Sequence, residues 1–219
     1  MRTQAIIMGV KERKEREKLE MRGRILDSAH KLFLDRGFDD ISIRNIAEAI
    51  EYSPATIYLY FKDKNEIIHA LHQDGFRLLN EYFKPLAQVA LPFERLMEMG
   101  KAYIRFATTH PQVYDLLFMR GEPIEHISQC LQDEWKEGDR AFDTLKNTVM
   151  QCQQEGYFSG YDPQALSMMI WSSIHGICAL RISGHMNHVK PARDQNLSLD
   201  EVMVTTFDVF NQVLRHLKK

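Results

Sequence analysis

The stretch Ser42-Ile-Arg-Asn-Ile-Ala-Glu-Ala-Ile-Glu-Tyr-Ser-Pro-Ala-Thr-Ile-Tyr-Leu-Tyr-Phe61 contains two helix starts in quick succession. Ser42 is a capping hydroxyl, and Ile43, Ile46, Ala47 and Ile50 follow it on one helical face. Ser53-Pro54 is the second start, a capping hydroxyl followed by proline at the first helical position, where a missing N–H is harmless. Only a turn of about three residues separates the two helices. Upstream, Ile25, Ala29, Leu32 and Phe33 form an i, i+4, i+7, i+8 stripe, and Gly37 stands where a left-handed helix terminator is expected. Three short helices within residues 22–61 make a helix-turn-helix. Downstream, Asp63 and Glu66 have capping-box spacing and open a longer helix through Ile67, Ile68 and Leu71.

The rest of the chain continues in helices. No period-2 alternation persists, and no Asn-Gly or Asp-Gly hairpin signal occurs. Pro92, Pro111 and Pro123 mark starts or breaks. Asp162-Pro163 opens an apolar helix running to about Gly184, residues 187–197 read as a loop, and Ser198 with Glu201 is another capping box. The expected fold is all-α, with about nine helices. Its expected parts are a basic N-terminal arm at 1–19, a helix-turn-helix domain at 20–80 with its motif at 42–61, and a larger helical domain at 81–219.

The chemistry of the third helix suits a groove. Ser53, Pro54, Ala55 and Thr56 are small and allow close approach, while Tyr58 and Tyr60 place hydroxyls at the far end. Lys64, at the next helix start, can add its charge to the positive end of a helix dipole to hold a phosphate. Each residue also has a plainer reading. Arg44 is spaced to pair with Glu48, Tyr58 could simply pack, and the charged run from Lys11 to Arg24 could be a solvated face.

Ile25-Leu-Asp-Ser-Ala-His-Lys-Leu-Phe-Leu-Asp-Arg-Gly-Phe38, Ser42-Ile-Arg-Asn-Ile-Ala47 and Thr56-Ile-Tyr-Leu-Tyr-Phe-Lys-Asp-Lys64 together resemble the DNA-binding domain of TetR-type transcriptional regulators. The resemblance implies roles. Ser42 and Thr56 match phosphate-bonding positions, and Arg44 matches one that reaches a base edge. Pro54 and Ala55 match the variable base-facing positions of the recognition helix, and Ser53, its capping residue, is a further DNA-binding candidate. Tyr58 and Tyr60 match groove and phosphate contacts, and Lys64 a phosphate contact. Two positions depart from the family pattern. Glu51 and Ala55 stand where glycine is common, so Glu51 is expected to carry a positive φ at some cost.

The resemblance also implies a C-terminal region that dimerises and senses. Residues 163–184 interleave small side chains (Ser167, Ser172, Ser173, Gly176, Ala179) with large apolar ones, and residues 199–217 form the final helix. Two such helices from each of two protomers would make a four-helix interface. Trp171-Ser-Ser-Ile-His175-Gly176 resembles the Trp-His-Gly motif of one C-terminal subclass. Tyr103, Phe106, Tyr114, Phe118, Met119, Trp171 and His175 are candidate ligand-binding residues, with structural packing the competing reading. The implied function is a homodimeric repressor on a pseudo-palindromic double-stranded DNA operator, released by a small apolar or amphipathic effector. No cofactor, metal or membrane is expected, and the expected location is cytoplasmic.

Composition agrees with this only after it is divided. The 219 residues carry 28 Lys+Arg against 30 Asp+Glu, a net charge of −2 that speaks against a nucleic-acid partner. Yet residues 1–24 hold eight basic side chains against four acidic, and residues 42–61 one against two. Phosphate attraction must therefore come from the flanks of the motif, backbone amides and doubling in a dimer. At 44% hydrophobic and 26% charged, the chain is long enough for a substantial core. Cys130, Cys152 and Cys178 are too few and too far apart for a disulfide framework or zinc ribbon. His185 and His188 lack the further ligands of a metal site. There is no GxSxG, P-loop, HExxH or dinucleotide glycine pattern, which argues against the common enzyme classes. No N-terminal leader and no membrane-length apolar run are read in the chain.

Overall fold

The computed structural model describes residues 9–119, 136–189 and 198–218. It has ten α-helices among these residues and no strand. They are α1 (Val10–Arg36), α2 (Ile43–Ala49), α3 (Pro54–Tyr58), α4 (Lys64–Phe83), α5 (Pro92–Thr109), α6 (Pro111–Tyr114), α7 (Lys136–Gln154), α8 (Pro163–Ile182), α9 (Met186–Val189) and α10 (Leu199–Arg215). A 3-10 segment, Lys84–Gln88, and a π-helical turn, Asp115–Met119, complete the helical content. The all-α class is as expected. Two of the ten, α6 and α9, are single turns. Pro123, Cys130 and most of the expected 187–197 loop lie outside the described residues.

The chain divides into two compact units, one ending at His72 and one beginning at Gln73. In the first, α1, α2 and α3 bury Ile25, Ala29, Phe33, Ile46, Ile57 and Phe61 to near-complete exclusion of water. Leu32 lies only half-buried, while Leu26, outside the expected stripe, is buried. Gly37 ends α1 with φ 82°, the expected positive value, but its ψ of 167° is extended rather than left-handed helical. Residues 11–19 of the expected arm are helical and exposed to solvent. They form the first turns of α1, where Arg13 pairs with Glu17 and Arg16 with Glu20 at helical spacing. These exposed pairs are worth only a few tenths of a kcal/mol each, so the helix start rests mainly on local propensity.

The second unit packs α5, α7, α8 and α10 around one core that includes Phe93, Tyr103, Phe106, Val149, Ile174 and Phe207. Its helix starts follow the expected chemistry. Asp162 accepts a hydrogen bond from the Ala165 N–H at 2.7 Å, and Ser198 exchanges bonds with Glu201 in a complete capping box. Gly100 lets α5 approach closely. A Cβ there would lie 2.5 Å from the Phe207 ring and 3.1 Å from Ile174. One feature departs from expectation. By length and composition α8 could cross a membrane, although no such run is read in the sequence. The reason is that α8 is apolar on both sides, burying Leu166, Ile170 and Ile174 while exposing Met168, Met169 and Leu180. A core helix with a second apolar face passes the same test.

Candidate functional site

The turn joining α2 to α3 is a full Schellman motif. The Glu51 N–H donates to the Glu48 carbonyl at 3.1 Å and the Tyr52 N–H to the Ala47 carbonyl at 2.9 Å. That geometry requires a left-handed residue at position 51, and Glu51 adopts it with φ 63°. Arg24 braces the turn from α1, its guanidinium reaching the Ile50 carbonyl and lying 5.3 Å from the centre of the Tyr52 ring. The strain foreseen at Glu51 is thus present, and it is held by neighbours rather than relieved.

The two caps are local. The Ser42 hydroxyl donates to the Asn45 side-chain oxygen at 2.6 Å and accepts the Asn45 N–H at 3.2 Å. The Ser53 hydroxyl accepts the Thr56 N–H at 3.4 Å and lies 3.1 Å from the Thr56 hydroxyl. These contacts fix the start of α3 and orient its outer side. Ser53, Pro54, Ala55 and Tyr58 are all exposed there, and Thr56 and Tyr60 are half-buried. Leu59, 77% exposed beside them, is a large apolar side chain that the sequence reading passed over. The signal was available: Ile57 and Phe61 occupy the buried face, so the residue midway between them faces out.

Two candidates are differently placed from expectation. Arg44 pairs with Glu48 at 3.2 Å, the plainer reading, while 80% of its side chain stays in solvent. Lys64 does not project its charge outward. Its ammonium donates to the Phe38 carbonyl at 2.7 Å and lies 4.0 Å from the centre of the Phe38 ring. Partial burial pushes its pKa down, with Asp39 and Asp40 pulling the other way. The side chain is a tie between α4 and the residues after α1, because its long stem reaches the Phe38 carbonyl, which also accepts the Ile41 N–H at 3.3 Å.

In the second unit an apolar cavity of about 240 Å³ lies among α4, α5, α7 and α8. Tyr103, Phe118 and Trp171 line it, as expected, together with Phe76, Phe142 and Leu145. Phe106, Tyr114 and His175 do not line it. Phe106 is fully buried against Tyr82 and His110, so it is core. Tyr114 and His175 instead form a polar network beside the cavity. The Tyr114 hydroxyl lies 2.7 Å from His175 Nδ1 and donates to the His175 carbonyl at 3.1 Å. The Tyr103 hydroxyl lies 3.2 Å from the same Nδ1 and accepts the Trp171 Nε1–H at 3.2 Å. Burial lowers the His175 pKa and raises those of Tyr103 and Tyr114, so all three stay neutral at ordinary pH. Cys152 and Cys178 are buried thiols pushed up to about 12 by desolvation, which makes them inert rather than reactive. Among the described residues no group of three metal-ligating side chains converges.

A family model described as bacterial regulatory proteins, tetR family, matches residues 25–71. A second, described as tetracyclin repressor-like, C-terminal domain, matches residues 96–206. The chain belongs to the TetR family. An uncharacterised HTH-type transcriptional regulator of Mycobacterium tuberculosis is 35% identical over 89 residues, 40% of this chain and 44% of that protein. The match thus spans less than half the length of that curated relative. Among solved structures, the fatty acid degradation regulator FadR from Bacillus halodurans aligns with a TM-score of 0.65 at 17% identity, over 86% of this chain and 93% of that one. AibR in complex with isovaleryl coenzyme A and operator DNA aligns with a TM-score of 0.61 at 21% identity, over 88% and 97%. These structures share the TetR fold seen here. The Trp-His-Gly subclass appears in neither family description.

Proposed function

We propose that this TetR-family chain is a homodimeric, sequence-specific DNA-binding regulator, a repressor that leaves its operator when a small molecule occupies the cavity of the second unit. The observation that carries the reading is the α2–turn–α3 arrangement, whose rigid Schellman turn holds Ser53, Pro54, Ala55 and Tyr58 on one exposed side. Pro54 and Ala55 suit contact with thymine methyl groups, and Arg44, once exchanged from Glu48, suits the guanine O6/N7 edge. Ser42, Thr56 and Tyr60 would hold phosphates, and Leu59 would extend the apolar edge. Lys64 supports the motif from inside.

Dimerisation is supported by the outer faces of α8 and α10. Met169 and Leu180 on one, and Val204, Val209 and Val213 on the other, are large apolar side chains about half exposed. Such a surface marks an interface. Gly176 has nothing within 4 Å of where its Cβ would be, which leaves room for a partner helix. Ser167 plays no part in this, being fully buried with its hydroxyl on the Pro163 carbonyl. The motif Trp171 to Gly176 supports membership of the Trp-His-Gly subclass, and a DNA partner places the chain in the cytoplasm.

The test is a mobility shift on DNA flanking the gene, paired with sedimentation of the free protein. A dimer that retards a pseudo-palindromic fragment, with affinity falling as salt rises, is the expected result. Equal retardation of all DNA, or none at low salt, would overturn the reading.

A further inference from the structure

The described walls of the cavity contain no Lys, Arg or His. Asp139, at the rim of the cavity on the first turn of α7, carries the only charge among them. Six aromatic side chains face the same space: Phe76, Phe83, Tyr103, Phe118, Phe142 and Trp171. Trp171 meets Phe118 and Phe142 edge-on, at 6.0 and 6.4 Å between centroids. The polar tips of Tyr103 and Trp171 are engaged with each other, and Tyr103 also with His175. Apart from Gln164 and Asp139, the described walls therefore offer carbon and π-surface rather than free hydrogen-bonding groups.

We infer that the cavity selects a compact lipophilic cation, a quaternary ammonium or protonated amine of benzyl size, and excludes carboxylates. This rests on the reading of the cavity as an effector site. The negative faces of aromatic rings attract an ammonium, and more strongly when water is excluded. Asp139 adds a single opposite charge at the entrance. A carboxylate would meet the same charge with no counter-ion on the described walls, and desolvating it without a partner is costly. Two helix starts near the rim do not reverse this. The first turn of α7 already carries Glu137 and Asp139, and α8 is capped by Asp162. The positive ends of both dipoles are thus met by acids of the chain itself. At about 240 Å³ the space is smaller than the roughly 300–1,000 Å³ of drug-sized pockets, which limits the occupant to a small molecule. The phosphates of an acyl coenzyme A, as in the AibR complex, would find no basic side chain on the described walls.

The experiment titrates the full chain by calorimetry with benzyltrimethylammonium, benzyl tert-butyl ether and phenylpropionate. The expected result is binding of the ammonium about fivefold tighter than the ether and roughly tenfold or more tighter than the carboxylate, since an exposed ion pair contributes a factor of about five. Asp139→Asn should remove most of the ammonium-to-carboxylate ratio, and Asp139→Glu should keep it. Phe142→Leu should weaken the ammonium more than the ether. The inference is overturned if phenylpropionate binds as tightly as the ammonium, if Asp139→Asn leaves their ratio unchanged, or if no probe gives heat. In that last case a chain that still retards its operator leaves the regulator reading standing. Conversely, tight ammonium binding that fails to release DNA supports this inference and removes the effector role.

Discussion

The two units reach their sites by opposite routes. In the first, the caps and the turn of the candidate DNA surface are set within a few residues: Ser42 bonds Asn45, Ser53 bonds Thr56, and Glu51 closes on Glu48. In the second, the cavity walls come from four helices, and the network beside it joins Tyr103 and Tyr114 to a histidine more than sixty positions away. Local sites are read from spacing, because caps and turns have fixed offsets. Assembled sites are not, because helical periodicity says which residues face inward but not whether they meet a void or each other.

The largest expected effect breaks the comparison where the sequence was least able to tell wall from core. Phe106→Ala should lower unfolding stability by about 3–5 kcal/mol, as deletion of a fully buried aromatic ring does. Denaturant titration measures it. A stable variant altered only in ligand affinity would return Phe106 to the cavity wall.

Gly100→Ala comes next. Its new methyl would lie 2.5 Å from the Phe207 ring, which is itself buried and cannot swing away. Overpacking of this kind costs about 1–3 kcal/mol. Phe207→Leu in the same chain should restore part of the loss, and additive losses in the double variant would show that the two residues do not meet.

These two positions show where legibility stopped. The all-α class, the helix starts at Ser42, Ser53, Asp162 and Ser198, and the positive φ at Glu51 are all readable, because each rests on one residue's chemistry at a fixed offset. Three of the seven candidate cavity residues, Tyr103, Phe118 and Trp171, are on its described walls, and Met119 is not. Phe106, Tyr114 and His175 share their apolar phase and so could not be separated from them. Lys64 sits differently from expectation for another reason. Its position at a helix start is as expected, but the Phe38 carbonyl that accepts its ammonium belongs to a chain reversal 26 residues earlier. Asp139 gave no signal at all, since a first-turn aspartate ordinarily serves its helix.

A smaller effect sharpens the local side. Glu51→Gly should stabilise the first unit by about 1 kcal/mol, the cost of a left-handed residue with a Cβ less the entropy glycine adds to the unfolded chain. It also removes a negative charge from the motif, so operator affinity should rise modestly and rise less at high salt. An unchanged melting temperature would mean that the Arg24 and Tyr52 contacts already offset the strain.

The smallest expected effect concerns the assembled network. Burial holds the His175 pKa below its ordinary 6.5. Above that pH the imidazole is neutral in both folded and unfolded chains, and it contributes no pH dependence. As pH falls through 6.5 the unfolded chain takes up a proton that the folded chain refuses, so stability declines until the folded pKa is reached. Protonation would also force Nδ1 to donate, placing one more proton between the Tyr103 and Tyr114 hydroxyls. His175→Asn removes that step, and the loss of melting temperature between pH 7 and pH 5 should be smaller in the variant than in the parent, the other histidines being common to both. Equal losses would show that His175 titrates alike in the folded and unfolded chains, and that its partners hold it by shape rather than by its neutral state.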